Sequence, residues 1–281
     1  MRVGTRGSAL ALAQARWVAE RLDEPAEVVA ITTAGDRGDG LLDKARWTSE
    51  LERALLDGRI DVAVHSAKDV PAELAAGTEI GAVPSREDPA DVICGVESLE
   101  ALGLGARVGT SSLRRAAQLL ALREDLQIVE LRGNVDTRLS KLARGDADAI
   151  VLAAAGLRRL GRISEAGGTL PELVPAPGQG ALLLQTRAGD AGSVGGLRDV
   201  EAQACVLAER AFARALGASC VTPVGALAAP AGPGAVELRA WVGRPDGSQW
   251  IADRAAGSAD EVGPIVAERM LAVGARELLG G

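Results

Sequence analysis

The stretch "RVGTSSLRRAAQLLAL" (residues 107–122) repeats the plan of "RVGTRGSALALAQARW" (residues 2–17). In each copy a short apolar run ends in Gly-Thr, a polar turn rich in Ser and Arg follows, and an Ala/Leu-rich stretch with helical spacing begins. A β-rich run, a turn and an amphipathic helix in that order open a strand–helix unit. The echo continues downstream. "GRIDVAVHSAKDV" (58–70) follows the first copy and "GDADAIVLAAAGL" (145–157) the second, each a Gly turn leading into a buried strand. The chain therefore reads as two α/β lobes of one design with unequal loops.

The first lobe is expected to run strand 2–5, helix 8–22, strand 28–32, helix 49–56 and strand 61–65. The second is expected to run strand 108–110, helix 112–123, strand 127–131, a helix over 134–144 capped by Asn134, and strand 147–152. Alternating strands and helices imply parallel sheets with helices on their faces. The polar, Gly-rich segment 33–47 is long for a connection inside a compact lobe, as functional loops are. "VPAPGQGALLLQTRA" (174–188) reads as a return crossing from the second lobe to the first. From 199 the pattern changes to a helix through 216, strands over 220–228, 236–242 and 250–255, and a closing helix over 259–279. That is an α+β unit on one face of an antiparallel sheet.

Bulk composition excludes several classes. With 281 residues, 47% hydrophobic and 25% charged, the chain is an ordinary globular protein with room for about two or three domains. Its four Trp, one Phe and absent Tyr leave little for stacking nucleobases, and a net charge of −7 opposes binding to nucleic acid or anionic membranes. No window reaches the roughly 18 uncharged apolar residues of a membrane span. The N-terminus enters a strand directly, so the cytoplasm is the expected compartment. The three cysteines have no CxxC spacing, and the one histidine removes most zinc sites.

Twin lobes around a cleft bring strand C-termini and helix N-termini to the crevice, where such folds bind ligands. A helix N-terminus presents free N–H groups and about half a positive charge, so two of them suit a ligand carrying several anions. Arginines collect on the same side: Arg6, Arg114 and Arg115 near the turns, Arg132 and Arg138 after a strand, Arg158 and Arg159 after "LAAAG". Folding alone favours Asp or Glu at helix starts, so a cationic set there points to a polyanion. "HSAKDVP" (65–71) holds one carboxylate, Asp69, beside Lys68. At a strand end it could move a proton or stabilise a forming cation; the plainer reading is an Asx-type turn. His65 reads as a packed neutral histidine. Cys220, in "GASCVTP" (217–223), sits on a small-residue corner open to attachment chemistry, whereas Cys94 and Cys205 read as core.

Taken in order, "TRGSALALAQA" (5–15), "DVAVHSAKDVP" (61–71), "REDPAD" (86–91), "GTSSLRRAAQL" (109–119), "LRGNVDTRLSKL" (131–142), "DAIVLAAAGLRRLG" (148–161), "PAPGQGAL" (175–182), "AERAFARALGASCVTPVGA" (208–226) and "VGRPDGSQ" (242–249) resemble the porphobilinogen deaminase (hydroxymethylbilane synthase) family. The resemblance implies two lobes like those of periplasmic binding proteins with a cleft, plus a small α+β C-terminal domain. The divisions it implies are 1–84 with 181–198, 88–176, and 199–281. It implies a dipyrromethane cofactor thioether-linked to Cys220, and stepwise head-to-tail addition of four porphobilinogen molecules with loss of ammonia. Hydrolysis then releases the linear tetrapyrrole. By the same match Asp69 is the catalytic carboxylate. Lys68, Asp69, Ser111, Ser112, Arg114, Arg115 and Arg132 hold the cofactor, while Arg6, Ser8, Gln14, Arg138, Arg159, Gln179 and Lys44 meet the substrate. No metal is implied, and a monomer is expected. "LDKARWTSELE" (42–52) departs from the family's glycine- and lysine-rich stretch: Lys44 and Trp47 match it, and Ser49 replaces a second lysine. A two-lobed solute-binding protein and an inactive paralogue are the alternatives.

Overall fold

The computed structural model describes residues 1–33, 45–218 and 222–279, with only the backbone of 45–47. Lys44 and Cys220 lie outside the described residues.

The first lobe is built from β1 (Arg2–Arg6), α1 (Ala9–Ala19), β2 (Glu27–Ile31), α2 (Ala45–Leu56), β3 (Val62–Ser66) and β4 (Thr78–Ala82). The second is built from β5 (Asp91–Cys94), β6 (Arg107–Gly109), α3 (Leu113–Leu122), β7 (Gln127–Val129), α4 (Val135–Ala143), β8 (Ala149–Ala153), α5 (Ala154–Arg159) and β9 (Gly168–Thr169). The chain then returns to the first lobe as β10 (Leu182–Arg187). The sheet orders are β2-β1-β3-β10-β4 and β7-β6-β8-β5-β9, one plan used twice.

The sheets are mixed, not parallel as the strand–helix alternation suggested. β1 runs parallel to β2 and β3, and β6 parallel to β7 and β8. β10 and β5 run antiparallel to their neighbours. Each of these two strands has just crossed from the other lobe and so enters its sheet at the cleft end. Leu182 pairs with Ser66 at the end of β3, and Asp91 with Ala153 at the end of β8. The lobes thus exchange one strand each, and two crossings join them.

The repeated "RVGT" has a packing cause. A Cβ on Gly4 would meet Ile60 Cδ1 at 2.2 Å, and one on Gly109 would meet Leu131 Cδ1 at 2.4 Å. Only glycine lets those side chains lie on the strand. The leading arginines are ties at the strand starts, away from the cleft. Arg2 Nη2 donates to Asp61 Oδ1 at 2.7 Å and Arg107 Nη2 to Asp148 Oδ1 at 2.6 Å, both part-exposed and therefore screened by solvent. The helices begin at true caps: Ser8 accepts from the Ala11 N–H, Ser112 from Arg115, Asn134 from Thr137.

The C-terminal unit packs α6 (Val200–Ala215), α7 (Val262–Ala272) and α8 (Ala275–Leu278) on the sheet β11 (Val224–Pro230), β12 (Ala235–Gly243), β13 (Trp250–Ser258), around the fully buried Phe212. The single closing helix expected over 259–279 is two helices, broken where Gly274 takes φ 104°. The first strand starts at Val224, after a proline that has no N–H to give a ladder.

One buried residue ties the three parts together. Glu209 on α6 accepts from Arg86 Nη1 at 2.6 Å on the first crossing, and from the Gly178 N–H at 2.6 Å on the second. It also accepts from the Ala228 N–H at 2.7 Å in its own unit. Glu209→Ala strands a guanidinium and two buried N–H groups. We expect a loss of about 3–5 kcal/mol, read as a lowered urea midpoint; an unchanged midpoint would show that the joint carries no stability.

Candidate active site

After β3, residues 67–69 make one 3-10 turn, closed by the Val70 N–H on Ala67 O at 3.2 Å. Its neighbours are fixed one by one. Gln14 Nε2 donates to Ser66 Oγ at 2.9 Å, the Ala67 N–H to Ala181 O at 3.0 Å, and Lys68 Nζ to Gln179 Oε1 at 3.4 Å. Gly178, at φ 77°, lets the return crossing lie on this turn, since a Cβ there would come within 2.9 Å of Ala67 and Lys68. From the other side Arg210 of α6 donates to Val70 O, Pro71 O and Ala72 O at 3.3, 2.6 and 3.0 Å. Among the described residues, no hydrogen bond reaches the Asp69 carboxylate.

The second lobe contributes three arginines and a buried acid. Asp91, fully buried at the start of β5, accepts from Arg114 Nη1 at 2.7 Å, Arg115 Nη2 at 2.8 Å and Gln179 Nε2 at 2.8 Å. Burial alone would raise the Asp91 pKa, but the two guanidiniums hold it well below the usual carboxylate range. Gln179 also donates to Pro89 O at 2.8 Å, so both its amide hydrogens are used within the protein. Arg138 Nη2 donates to Ser111 Oγ at 3.0 Å.

These groups surround one cavity of about 440 Å³, lined by Lys68, Asp69, Ser111, Ser112, Arg114, Arg115, Arg138, Gln179 and Arg210 among others. Burial, then Arg115, pushes the Lys68 ammonium down to about 8 and Arg138 down to about 10. Burial, then Arg214, brings Arg210 to about 10. The cavity wall is therefore net cationic, with desolvated charges that favour an anion.

Several expected site residues lie elsewhere. Arg6 ends β1, Ser8 caps α1 and Gln14 holds Ser66, none of them lining the cavity. Arg159 Nη2 donates to Gly180 O at 2.7 Å on the return crossing. Arg132 is exposed and paired with Glu130 at 2.7 Å. Asp91, Glu209 and Arg210 were not singled out from the sequence as site-building residues. Asp91 stood inside "REDPAD", but its partners are more than 20 positions away, and Glu209 and Arg210 look like ordinary positions of an amphipathic helix. No group of three or more His, Cys, Asp or Glu among the described residues is placed to hold a metal. No helix among them is long and apolar enough to cross a membrane.

The buried His65 gives a pH signature. Burial lowers its pKa from 6.5 to about 4. Between those values the unfolded chain binds a proton that the folded one does not, so stability falls as pH drops from 6.5 toward 4, by up to about 3 kcal/mol. Urea midpoints of wild type and His65→Gln should converge as pH falls through that window. Parallel curves would contradict this.

Fold and cavity together define a class: a two-lobed α/β protein whose cleft is walled by cations around one carboxylate. The family model "Porphobilinogen deaminase, dipyromethane cofactor binding domain" matches residues 1–194, and "Porphobilinogen deaminase, C-terminal domain" matches 203–272. The porphobilinogen deaminase of Thermus thermophilus is 46% identical over 300 residues, covering 99% of this chain and 97% of that one. That of Deinococcus deserti is 46% identical over 304 residues, with the same coverage. Among solved structures, the periplasmic VFT2 domain of Bordetella pertussis BvgS aligns at TM-score 0.41 and 18% identity, over 70% of this chain and 86% of that one. The chain belongs to the porphobilinogen deaminase family. It is a transferase with that family's dipyrromethane-binding domain.

Proposed function

We propose that this chain is a hydroxymethylbilane synthase in which Asp69 is the catalytic carboxylate and Cys220 carries the dipyrromethane. The single observation behind the assignment is the cavity that gathers Asp69 with Lys68, Arg114, Arg115 and Arg138. Porphobilinogen and its oligomers bear an acetate and a propionate on every ring, so the ligand is a polycarboxylate. Guanidinium forks and serine hydroxyls match it, each charge-assisted bond contributing about 1.5–3 kcal/mol.

The residues fit the cofactor. Arg114 Nε is buried with no hydrogen-bond partner in the protein, at a wall made of donors. The described residues nearest Cys220 on either side, Ala218 and Thr222, both line the same cavity. When bound, the dipyrromethane would supply the nucleophilic pyrrole carbon to which the first unit is joined. Lys68, Ser111, Ser112, Arg114 and Arg115 would hold its carboxylates, and the resemblance adds Arg132 to that set. Arg138 faces the incoming substrate. The resemblance extends the proposed substrate-binding set to Arg6, Ser8, Gln14, Arg159, Gln179 and Lys44, of which Gln179 lines the cavity.

Asp69 then acts on the substrate. Porphobilinogen enters with its aminomethyl group as an ammonium. The C–N bond breaks, ammonia leaves with the electron pair, and the Asp69 carboxylate faces the methylene cation that remains. Once the new carbon–carbon bond has formed, Asp69 takes the proton that the attacking ring carbon loses.

We place the reaction in the cytoplasm, where the thiols Cys94 and Cys205 stay reduced, and in a single chain. Its divisions are 1–84 with 181–198, 88–176 and 199–281, a partition supported by the three sheets. Incubation with porphobilinogen should release four ammonia molecules per linear tetrapyrrole. Uptake without ammonia would favour the solute-binding alternative. Light scattering should give the mass of one chain.

A further inference from the structure

The only histidine of the chain takes no part in the steps above. It lies buried in β3, four residues before Asp69, with Nε2 3.0 Å from Gln185 Oε1 on β10. Which atom donates follows from what lies beyond the glutamine. Gln185 Nε2 is 3.0 Å from Glu52 Oε1 on α2 and 2.8 Å from Thr78 Oγ1. The Thr78 hydroxyl gives its hydrogen to Ala75 O at 2.7 Å, and Glu52 Oε1 also accepts from the Ala75 N–H at 3.1 Å. The Thr78 hydroxyl has given its hydrogen away and Glu52 Oε1 is already an acceptor, so the NH₂ end of Gln185 must face Glu52 and Thr78, with both hydrogens used. Its carbonyl end must then face the histidine, and His65 must donate from Nε2.

Neighbouring residues complete the restraint. Ser66 is held by Gln14 on α1, and the Ala67 N–H by the carbonyl of Ala181. The end of β3 is thus gripped from both faces just before the turn that carries Asp69. The charged groups facing the imidazole are Glu52 from α2, Asp69 from the turn and Arg210 from α6.

We infer that His65 is a positioning residue for Asp69: by donating Nε2–H to Gln185, which Glu52 and Thr78 hold in one orientation, it fixes the end of β3 and so the direction in which the carboxylate enters the cavity. The inference rests on the assignment of Asp69 as the catalytic carboxylate. Its first test does not depend on catalysis. With ¹⁵N-labelled histidine, the protein as purified gives one pair of ring nitrogens. The expected spectrum is the neutral Nε2–H tautomer, unchanged from pH 8 to 5.5. An Nδ1–H tautomer, or titration near 6.5, overturns the inference while leaving the Asp69 assignment to its own variant.

The second test is kinetic. His65→Leu removes the donor, and His65→Gln keeps an N–H of similar reach. His65→Leu should lower kcat about tenfold or more with KM little changed, and His65→Gln should recover to within about threefold of wild type. Equal losses in both, or a lowered Tm with kcat intact, overturn it. Should His65→Leu not fold, Gln185→Met cuts the same tie from β10 and is held to the same kcat and KM result.

Discussion

Asp69→Asn is expected to lower turnover of porphobilinogen by at least about 100-fold while substrate and cofactor stay bound. The substitution keeps the shape of the side chain, and the turn that carries it is fixed by bonds to its neighbours, Ser66, Ala67 and Lys68. Binding rests on the arginines and serines opposite and should survive. An amide cannot take the proton released in bond formation, and it offers no negative charge to the methylene cation. The loss therefore falls on kcat. Steady-state ammonia release, paired with a KM within a few-fold of wild type, checks both halves. Turnover near that of wild type would remove Asp69 from the chemistry.

Cys220→Ser is expected to abolish activity altogether. Thioether formation needs a thiolate, and a serine hydroxyl gives no comparable nucleophile at neutral pH. The other thiols cannot take over. Cys94 and Cys205 are buried, and burial, the largest cause in both, pushes each up to about 11. Without a tether the first pyrrole has nothing to be added to, whatever the state of the arginines. The variant should fold, since among the described residues Phe212 and its neighbours form a buried core for that unit, and the exchange of sulfur for oxygen changes the side chain little in size. A circular dichroism spectrum like wild type, with no detectable tetrapyrrole, is the expected pair of results. Measurable turnover in the serine variant would mean that some other group carries the primer.

The repeat was legible because its causes are local. Gly4 and Gly109 answer to a side chain lying on their strand, and Ser112 and Asn134 to the N–H groups of the helix that follows. Asp69 stood out because it is the lone carboxylate of its turn. What escaped depends on pairs far apart in the chain. The reversed strands β5 and β10 carry apolar runs like any buried strand, and only their entry from the opposite lobe sets their direction. The arginines were read as a bare cationic set, yet Arg114 and Arg115 share Asp91, more than 20 residues earlier. A buried guanidinium without an acid would cost several kcal/mol, so the fold supplies one, and the excess positive charge comes from Lys68, Arg138 and Arg210. Arg210 is the clearest omission. On its helix it has no local mark, and its role follows from three carbonyls 138 or more positions away. The break at Gly274 was missed because the flanking residues keep helical spacing across it.

The most direct measurement is the intact mass of the protein as purified, followed by the mass of the peptide that contains Cys220. The chain should be heavier than its sequence by two joined pyrrole units, all of the excess on that peptide. A protein of unmodified mass that converts porphobilinogen at full rate would contradict a tethered polycarboxylate held by a cationic cleft.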